Sequence, residues 1–195
     1  MGSRFVKLVS NHQFEAAAEQ LQSGVDVDSI VDGGTALHYV ARTSLKAVQW
    51  LIKQQADLDC LDQNGCTPLM VACVKGGKLC EKIAVTLMEA RANVTVRRKK
   101  DMLSAIELAA KNSSPQLIQK LIDHGALVNA PPAGKQTAAM IACRWDNLEV
   151  FKVLLKNGAD LDRKCLSDWA KQLNCRQIAE QEKSKKVLGY ILSKY

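Results

Sequence analysis

One stretch, Asp62-Gln63-Asn64-Gly65-Cys66-Thr67-Pro68-Leu69-Met70-Val71-Ala72-Cys73, limits what this chain can become, because weaker copies of it recur on either side at nearly constant spacing. Around it the pattern reads as turn residues, a residue able to cap a helix, a short apolar helix, a loop, a second helix, and then Ala-Asp or Ala-Asn. Thr35, Thr67, Ser104 and Thr137 hold the capping position, separated by 32, 37 and 33 residues. A period of that size belongs to stacked repeats, in which no unit buries its apolar face alone and the neighbours complete the core.

Composition narrows the packing. Of the 195 residues 47% are hydrophobic but only 5% aromatic, so the core must be Leu, Ile, Val and Ala in closely spaced helices. The net charge of +7 favours acidic partners without naming one. No apolar run approaches the ~20 residues that a membrane span needs, so no membrane association is expected. Gly2 is followed by Val6 where a myristoylation signal wants Ser or Thr, and no signal peptide is evident. An intracellular protein, cytoplasmic or nuclear or both, is the resulting expectation. The seven cysteines agree with it: none forms a Cys-x-x-Cys pair, and Cys60, Cys66, Cys73 and Cys80 follow one another at 6, 7 and 7 residues, which is no standard zinc spacing. Neither a metal, nor another cofactor, nor a disulfide is expected. Cys73 and Cys143 fall where the repeat calls for a small buried residue.

Along the chain, Phe5, Leu8 and Val9 and then Phe14, Ala17, Ala18 and Leu21 form apolar stripes at helical spacing, with Gly24 as the C-terminal cap of the second helix. The next unit carries Gly34-Thr35-Ala36-Leu37-His38-Tyr39-Val40-Ala41, followed by Val48, Leu51, Ile52 and Ala56-Asp57. The second keeps Asp62, Gly65, Thr67, Pro68, Leu69, Ala72 and Leu87-Met88. The third keeps Ala109-Ala110, Leu121-Ile122, Gly125-Ala126 and Asn129, and the fourth Thr137, Ala142, Leu154-Leu155 and Gly158-Ala159-Asp160. This pattern resembles the ankyrin repeat. The resemblance implies an all-α solenoid of stacked helix-turn-helix units with β-hairpin-like connecting turns, here about four matching repeats between degenerate N- and C-terminal caps. The expected boundaries within a single domain, 1–195, are a cap at 1–28, repeats at 29–60, 61–95, 96–129 and 130–162, and a closing cap at 163–195. In that cap Ser167-Asp168-Trp169-Ala170 is read as the opening and Val187, Leu188, Ile191 and Leu192 as one apolar face.

The local chemistry supports the same reading. Thr35, Thr67 and Thr137 can accept a backbone N–H as N-caps, and Pro68 at the first helical position costs no hydrogen bond. Ser104 with Glu107 makes a capping box in the third unit. His38 fits a capping network better than a ligand or base. Gln55 and Arg91 stand where the family places a C-cap Gly, which predicts altered loops there. The second unit holds about three extra residues between Val74 and Ala84, which predicts an irregular stack.

No nucleophile, phosphate loop or paired-carboxylate constellation is present, and His12, His38 and His124 occupy unrelated positions, so no catalytic residue is assigned and the chain is not read as an enzyme. Recognition is the stronger reading. The resemblance implies a concave face lined by turn tips and first-helix ends, where partner proteins dock. The positions after the alanine pair hold Arg42, Val74-Lys75, Lys111-Asn112 and Arg144-Trp145, about one cation per unit. Gln63, Asn64, Lys135 and Gln136 lie at turn tips. The candidate partner-binding set is therefore Arg42, Gln63, Asn64, Lys75, Lys111, Asn112, Lys135, Arg144 and Trp145, fitting a protein partner of acidic character. Trp145 beside Arg144 has the composition of an interface hot spot, with packing against a neighbouring unit as its other possible role. Trp50 reads as half-buried core. The run Arg97-Arg98-Lys99-Lys100 is a basic patch on a tip, and it opens a second reading as a nucleic-acid site, although no recognised motif or aromatic interleaving accompanies it. Inhibition of an enzyme by the stack is a third reading. A monomer is expected.

Overall fold

A computed structural model describes residues 2–129 and 136–194. Among them the regular elements are α-helices, twelve in all, with one 3-10 turn and no strand. They fall into two compact units, one ending at Val96 and the other starting at Arg97.

The first unit contains α1 (Gly2–Ser10), α2 (Phe14–Gln22), α3 (Ala36–Val40), α4 (Leu45–Lys53), α5 (Pro68–Lys75) and α6 (Lys78–Glu89). α1 packs on α2 and α3, α3 on α4 and α5, and α6 on both α4 and α5. First helices thus lie on first helices and second on second. The reason is visible in α4: Ala47, Val48 and Leu51 are fully buried, while Lys46, Gln49 and Lys53 on the other face are exposed.

Each first helix is started by its cap. The Thr67 hydroxyl accepts the Met70 N–H at 3.3 Å ahead of Pro68 at the first position. In the preceding copy the Thr35 N–H donates to His38 Nδ1 at 3.1 Å, which leaves Nε2 to donate to the Cys66 carbonyl at 2.9 Å. His38, 4% exposed, therefore ties one repeat to the turn of the next, and its buried nitrogens are both satisfied. The connecting tips are hairpin-like: the Val31 N–H reaches the Gly34 carbonyl at 2.8 Å, and the Asp62 N–H reaches that of Cys66 at 2.9 Å.

One expectation about the loops needs correcting. Gly24 closes α2 at φ +91°, with the Gly24 and Val25 N–H groups bonded back to Leu21 and Gln20. Gln55 (φ +60°) and Arg91 (φ +72°) make the corresponding bonds after α4 and α6. The loops are kept and the side chains take the left-handed strain, because the backbone bonds outweigh about 1–2 kcal/mol of steric cost. The extra residues of the second repeat lengthen α6 to 12 residues after Gly76 (φ +66°) and Gly77 (φ +85°).

The second unit contains α7 (Ala105–Ala109), α8 (Pro115–Asp123), α9 (Ala138–Arg144), α10 (Leu148–Lys156), the 3-10 turn Asp168–Ala170, α11 (Cys175–Gln181) and α12 (Lys185–Lys194). α9 packs on α7, α10 and α11, while α10 packs on α8 and α12. The closing cap differs from the reading above. Residues 165–173 form another hairpin-like tip, with the Cys165 N–H on the Leu173 carbonyl at 2.8 Å and the Gln172 N–H on the Cys165 carbonyl at 2.9 Å. The first cap helix is α11, started by an Asn174–Gln177 capping box. On α12, Val187 and Ile191 are buried but Leu192 is 55% exposed, so the apolar face is narrower than expected.

Candidate functional site

In the first unit three expected site residues share a cleft of about 250 Å³: Arg42, just past α3, lines it with Gln63 and Asn64 of the next tip, and Tyr39, Val71 and the carboxylates Asp32 and Asp62 are among the rest of its wall. The tip is held by the Gln63 N–H on the Gly33 carbonyl at 2.6 Å, and by Asp62, whose Oδ1 accepts the Asn64 and Cys66 N–H groups at 2.8 and 2.9 Å. Arg42, Gln63 and Asn64 are exposed. Lys75 is exposed at the end of α5, next to Val74. The Cys80 thiol donates to the Arg42 carbonyl at 3.7 Å, which fixes the start of α6 against the end of α3. Both Lys75 and Arg42 are close enough to favour the Cys80 thiolate, yet burial outweighs them and holds its pKa up.

In the second unit Lys111, exposed after α7, extends its ammonium over Trp145 at 3.7 Å from the ring centroid. The Arg144 guanidinium lies 5.9 Å from the same ring. Trp145 caps the end of α9 and is 49% exposed, so it is covered by a cation on one side and open to solvent over about half its surface. Contacts of this kind contribute about 0.5–1 kcal/mol where solvent has access, enough to bias the Lys111 rotamer. Asn112 is exposed beside Lys111. Lys135 lies outside the described residues, and Gln136 is half-buried.

The basic run divides. Arg97 turns inward: its Nη1 donates to the Met102 carbonyl at 2.5 Å and its Nη2 lies 3.5 Å from Glu107 Oε1, with the Arg97 side chain 12% exposed and that of Glu107 fully buried. Glu107 Oε2 accepts the Ser104 N–H at 2.8 Å and the Ser104 hydroxyl at 2.5 Å, completing the expected capping box. Arg98 pairs with Asp101. Lys99 and Lys100 are exposed.

Trp50 is half-buried as expected, stacked on Phe14 at 5.3 Å and 6.3 Å from Phe5. The polar residues closing each repeat are occupied within the chain. Asp28 accepts the Asp57 N–H at 3.1 Å, Asp59 that of Asn93 at 2.8 Å, and Asn129 that of Asp160 at 2.9 Å. Asp57, Asn93 and Asp160, the polar members of the Ala-Asp and Ala-Asn pairs, supply the N–H groups of that ladder. Asp146 was not legible in the same way: at φ +51° its carboxylate accepts the Val187 and Lys186 N–H groups at 2.9 and 3.3 Å, capping α12 from a distance of about forty residues in sequence.

Cys60, Cys73, Cys80 and Cys143 are held in the protonated, less reactive form. Burial pushes Cys73 up to about 12, and burial with a hydrogen bond to Asp57 does the same for Cys60. Cys143 lies well above the ordinary range through burial and its hydrogen bond with Cys175. Among the described residues no group of three or more His, Cys, Asp or Glu is placed to hold a metal ion, and no helix is long and apolar enough to cross a membrane.

Comparison with known proteins gives a concordant result. A family model for ankyrin repeats in three copies matches residues 6–98 and 80–165. Human neurogenic locus notch homolog protein 1 is 34% identical over 131 residues, which is 67% of this chain and 5% of that protein, and the mouse protein gives the same figures. Human transient receptor potential cation channel subfamily A member 1 is 29% identical over 127 residues, 63% of this chain and 11% of that protein. The chain thus spans only a small part of the length of these relatives.

Proposed function

Because this chain belongs to the ankyrin-repeat family, whose repeats are general protein-binding modules and typically lack enzymatic activity, we propose that it captures a partner protein of acidic character through the ends of its first helices. The observation that supports this most is the group at the end of α9: a half-exposed indole with the Lys111 ammonium over its ring and the Arg144 guanidinium beside it. An exposed aromatic with adjacent cations is what a binding surface for an acidic segment requires, and a packing role alone would not leave Trp145 open. Arg42 with Gln63 and Asn64 forms the corresponding polar surface in the first unit. The test compares Arg144→Ala and Trp145→Ala with the unaltered chain for partner capture and melting temperature. Lost capture at an unchanged melting temperature supports the reading. An equal loss of both would assign Trp145 to packing.

The nucleic-acid reading is weakened, since Arg97 and Arg98 are committed to Glu107 and Asp101. A phosphate backbone would meet Lys99 and Lys100 from that run, and retention on DNA that falls steeply with salt would be needed to revive it.

A further inference from the structure

Acidity alone does not describe what this surface complements. Lone exposed apolar residues are ordinary, but here they sit beside the cations in both units. In the second unit Trp145 is 49% exposed directly under Lys111 and beside Arg144. In the first unit Val74 (49% exposed) adjoins Lys75, and Leu79 (44% exposed) adjoins Cys80, whose thiol is bonded to the Arg42 carbonyl. Two Gly residues, 76 and 77, both at positive φ, form the whole connection between Lys75 and α6, so Val74 and Leu79 flank one short turn. Each unit therefore carries two cations and an exposed large apolar side chain, drawn from different residues, with the cation-on-ring contact in the second.

We propose that the partner segment alternates carboxylates with large apolar side chains: its carboxylates meet Lys111 and Arg144 or Arg42 and Lys75, and its apolar residues cover Trp145 or Val74 and Leu79. This rests on the protein-binding reading above and adds the side-chain code. Lys111 acts as a positioning residue as well as a charge. Its ammonium lies over the indole ring, so a carboxylate that reaches it brings a neighbouring apolar side chain to the open part of the ring. Of the nearby acids, Asp146 in the second unit is turned to the α12 amides, whereas Asp32 and Asp62 line the Arg42 cleft and add negative charge there, so the second-unit group is the better matched to a carboxylate. A purely acidic segment would satisfy the cations but leave Trp145, Val74 and Leu79 in water. A neutral apolar segment would lose the ion pairs.

Three labelled synthetic peptides of equal length decide the matter, titrated with the full chain and read by fluorescence anisotropy: Glu interleaved with Leu, Glu interleaved with Ser, and Gln interleaved with Leu. The Glu/Leu peptide is expected to bind at least about tenfold more tightly than either other, which corresponds to about 1.4 kcal/mol. Trp145→Ala and Lys111→Met should each remove much of that margin while far-UV circular dichroism stays unchanged. Equal binding of the Glu/Ser peptide overturns the inference and leaves the acidic-partner reading standing. Equal binding of the Gln/Leu peptide, or no binding by any of the three, overturns both.

Discussion

Replacing Arg97 by Met should destabilise the protein far more than removing any other cation of its run. Glu107 is fully buried, and its two oxygens are committed to the Ser104 cap and to Arg97. Taking away Arg97 leaves a buried carboxylate without its counter-charge and the Met102 carbonyl without its donor. Breaking one side of a buried pair costs about 3–5 kcal/mol. The 3.5 Å separation and the partial exposure of Arg97 place this pair at the lower end, about 3 kcal/mol. For a chain of this size that lowers the melting temperature by about 6–12 °C. Lys100→Met, on an exposed residue of the same run, should stay within about 0.5 kcal/mol.

A double-mutant cycle separates the ion pair from simple loss of packing. Glu107→Gln keeps a side chain able to close the capping box while removing the charge. With the charge gone, the loss of Arg97 should matter less, so the double variant should be more stable than the sum of the single losses by about 1–3 kcal/mol. Urea unfolding followed by circular dichroism and tryptophan fluorescence supplies the free energies, provided the two probes give coincident transitions, which repeat arrays do not always show. Additive losses, or an Arg97→Met variant as stable as Lys100→Met, would refute the argument and return Arg97 to the surface patch.

Three further outcomes follow from the same structure. Asp146→Ala should cost about 1 kcal/mol and speed hydrogen exchange in the first turn of α12, while Asp146→Asn preserves the cap; equal losses in the two variants would show that the carboxylate does not cap the helix. Gln55→Gly and Arg91→Gly should each stabilise by about 0.5–1 kcal/mol by relieving positive φ, and a lower urea midpoint would contradict the strain assigned to them. The Cys73 pKa is raised from 9.0 to about 12, so its thiol ionises earlier in the unfolded chain than in the native one; the stability linked to it is intact below pH 9 and lost as pH rises towards 12. Cys73→Ala should therefore flatten the alkaline decline measured by urea midpoints under reducing conditions, and an unchanged slope would remove Cys73 from the account.

Much of the fold was legible because it is written in local chemistry repeated at one period. Thr35, Thr67, Ser104 and Thr137 each announce a helix start, and a cap depends on residues only three positions away. The closing cap was partly misread because Asn174 occupies the capping position in place of Ser or Thr. It lies 37 residues after Thr137, the interval that also separates Thr67 from Ser104, so the period carried the signal and the expected residue type obscured it. Asp146 shows the other limit. Its partner amides are on α12, and nothing near Asp146 in sequence distinguishes a remote cap from a solvated turn residue.

The basic surface follows the same division between what is local and what is not. Composition counts Arg97, Arg98, Lys99 and Lys100 as four equivalent charges. The structure makes them unequal, because Glu107 stands in the position that His38 holds in an earlier repeat. The neutral His38 closes its cap and bridges to the next turn without a counter-charge; a buried Glu closes the same cap but requires a cation, and Arg97 is the one within reach. A change at one capping position thus converts part of an apparent binding patch into structure. At Lys111 the cation instead rests on an exposed indole, the arrangement on which the proposed binding function relies. What separates Arg97 from Lys111 is that the first answers a fully buried carboxylate while the second rests on a half-exposed indole.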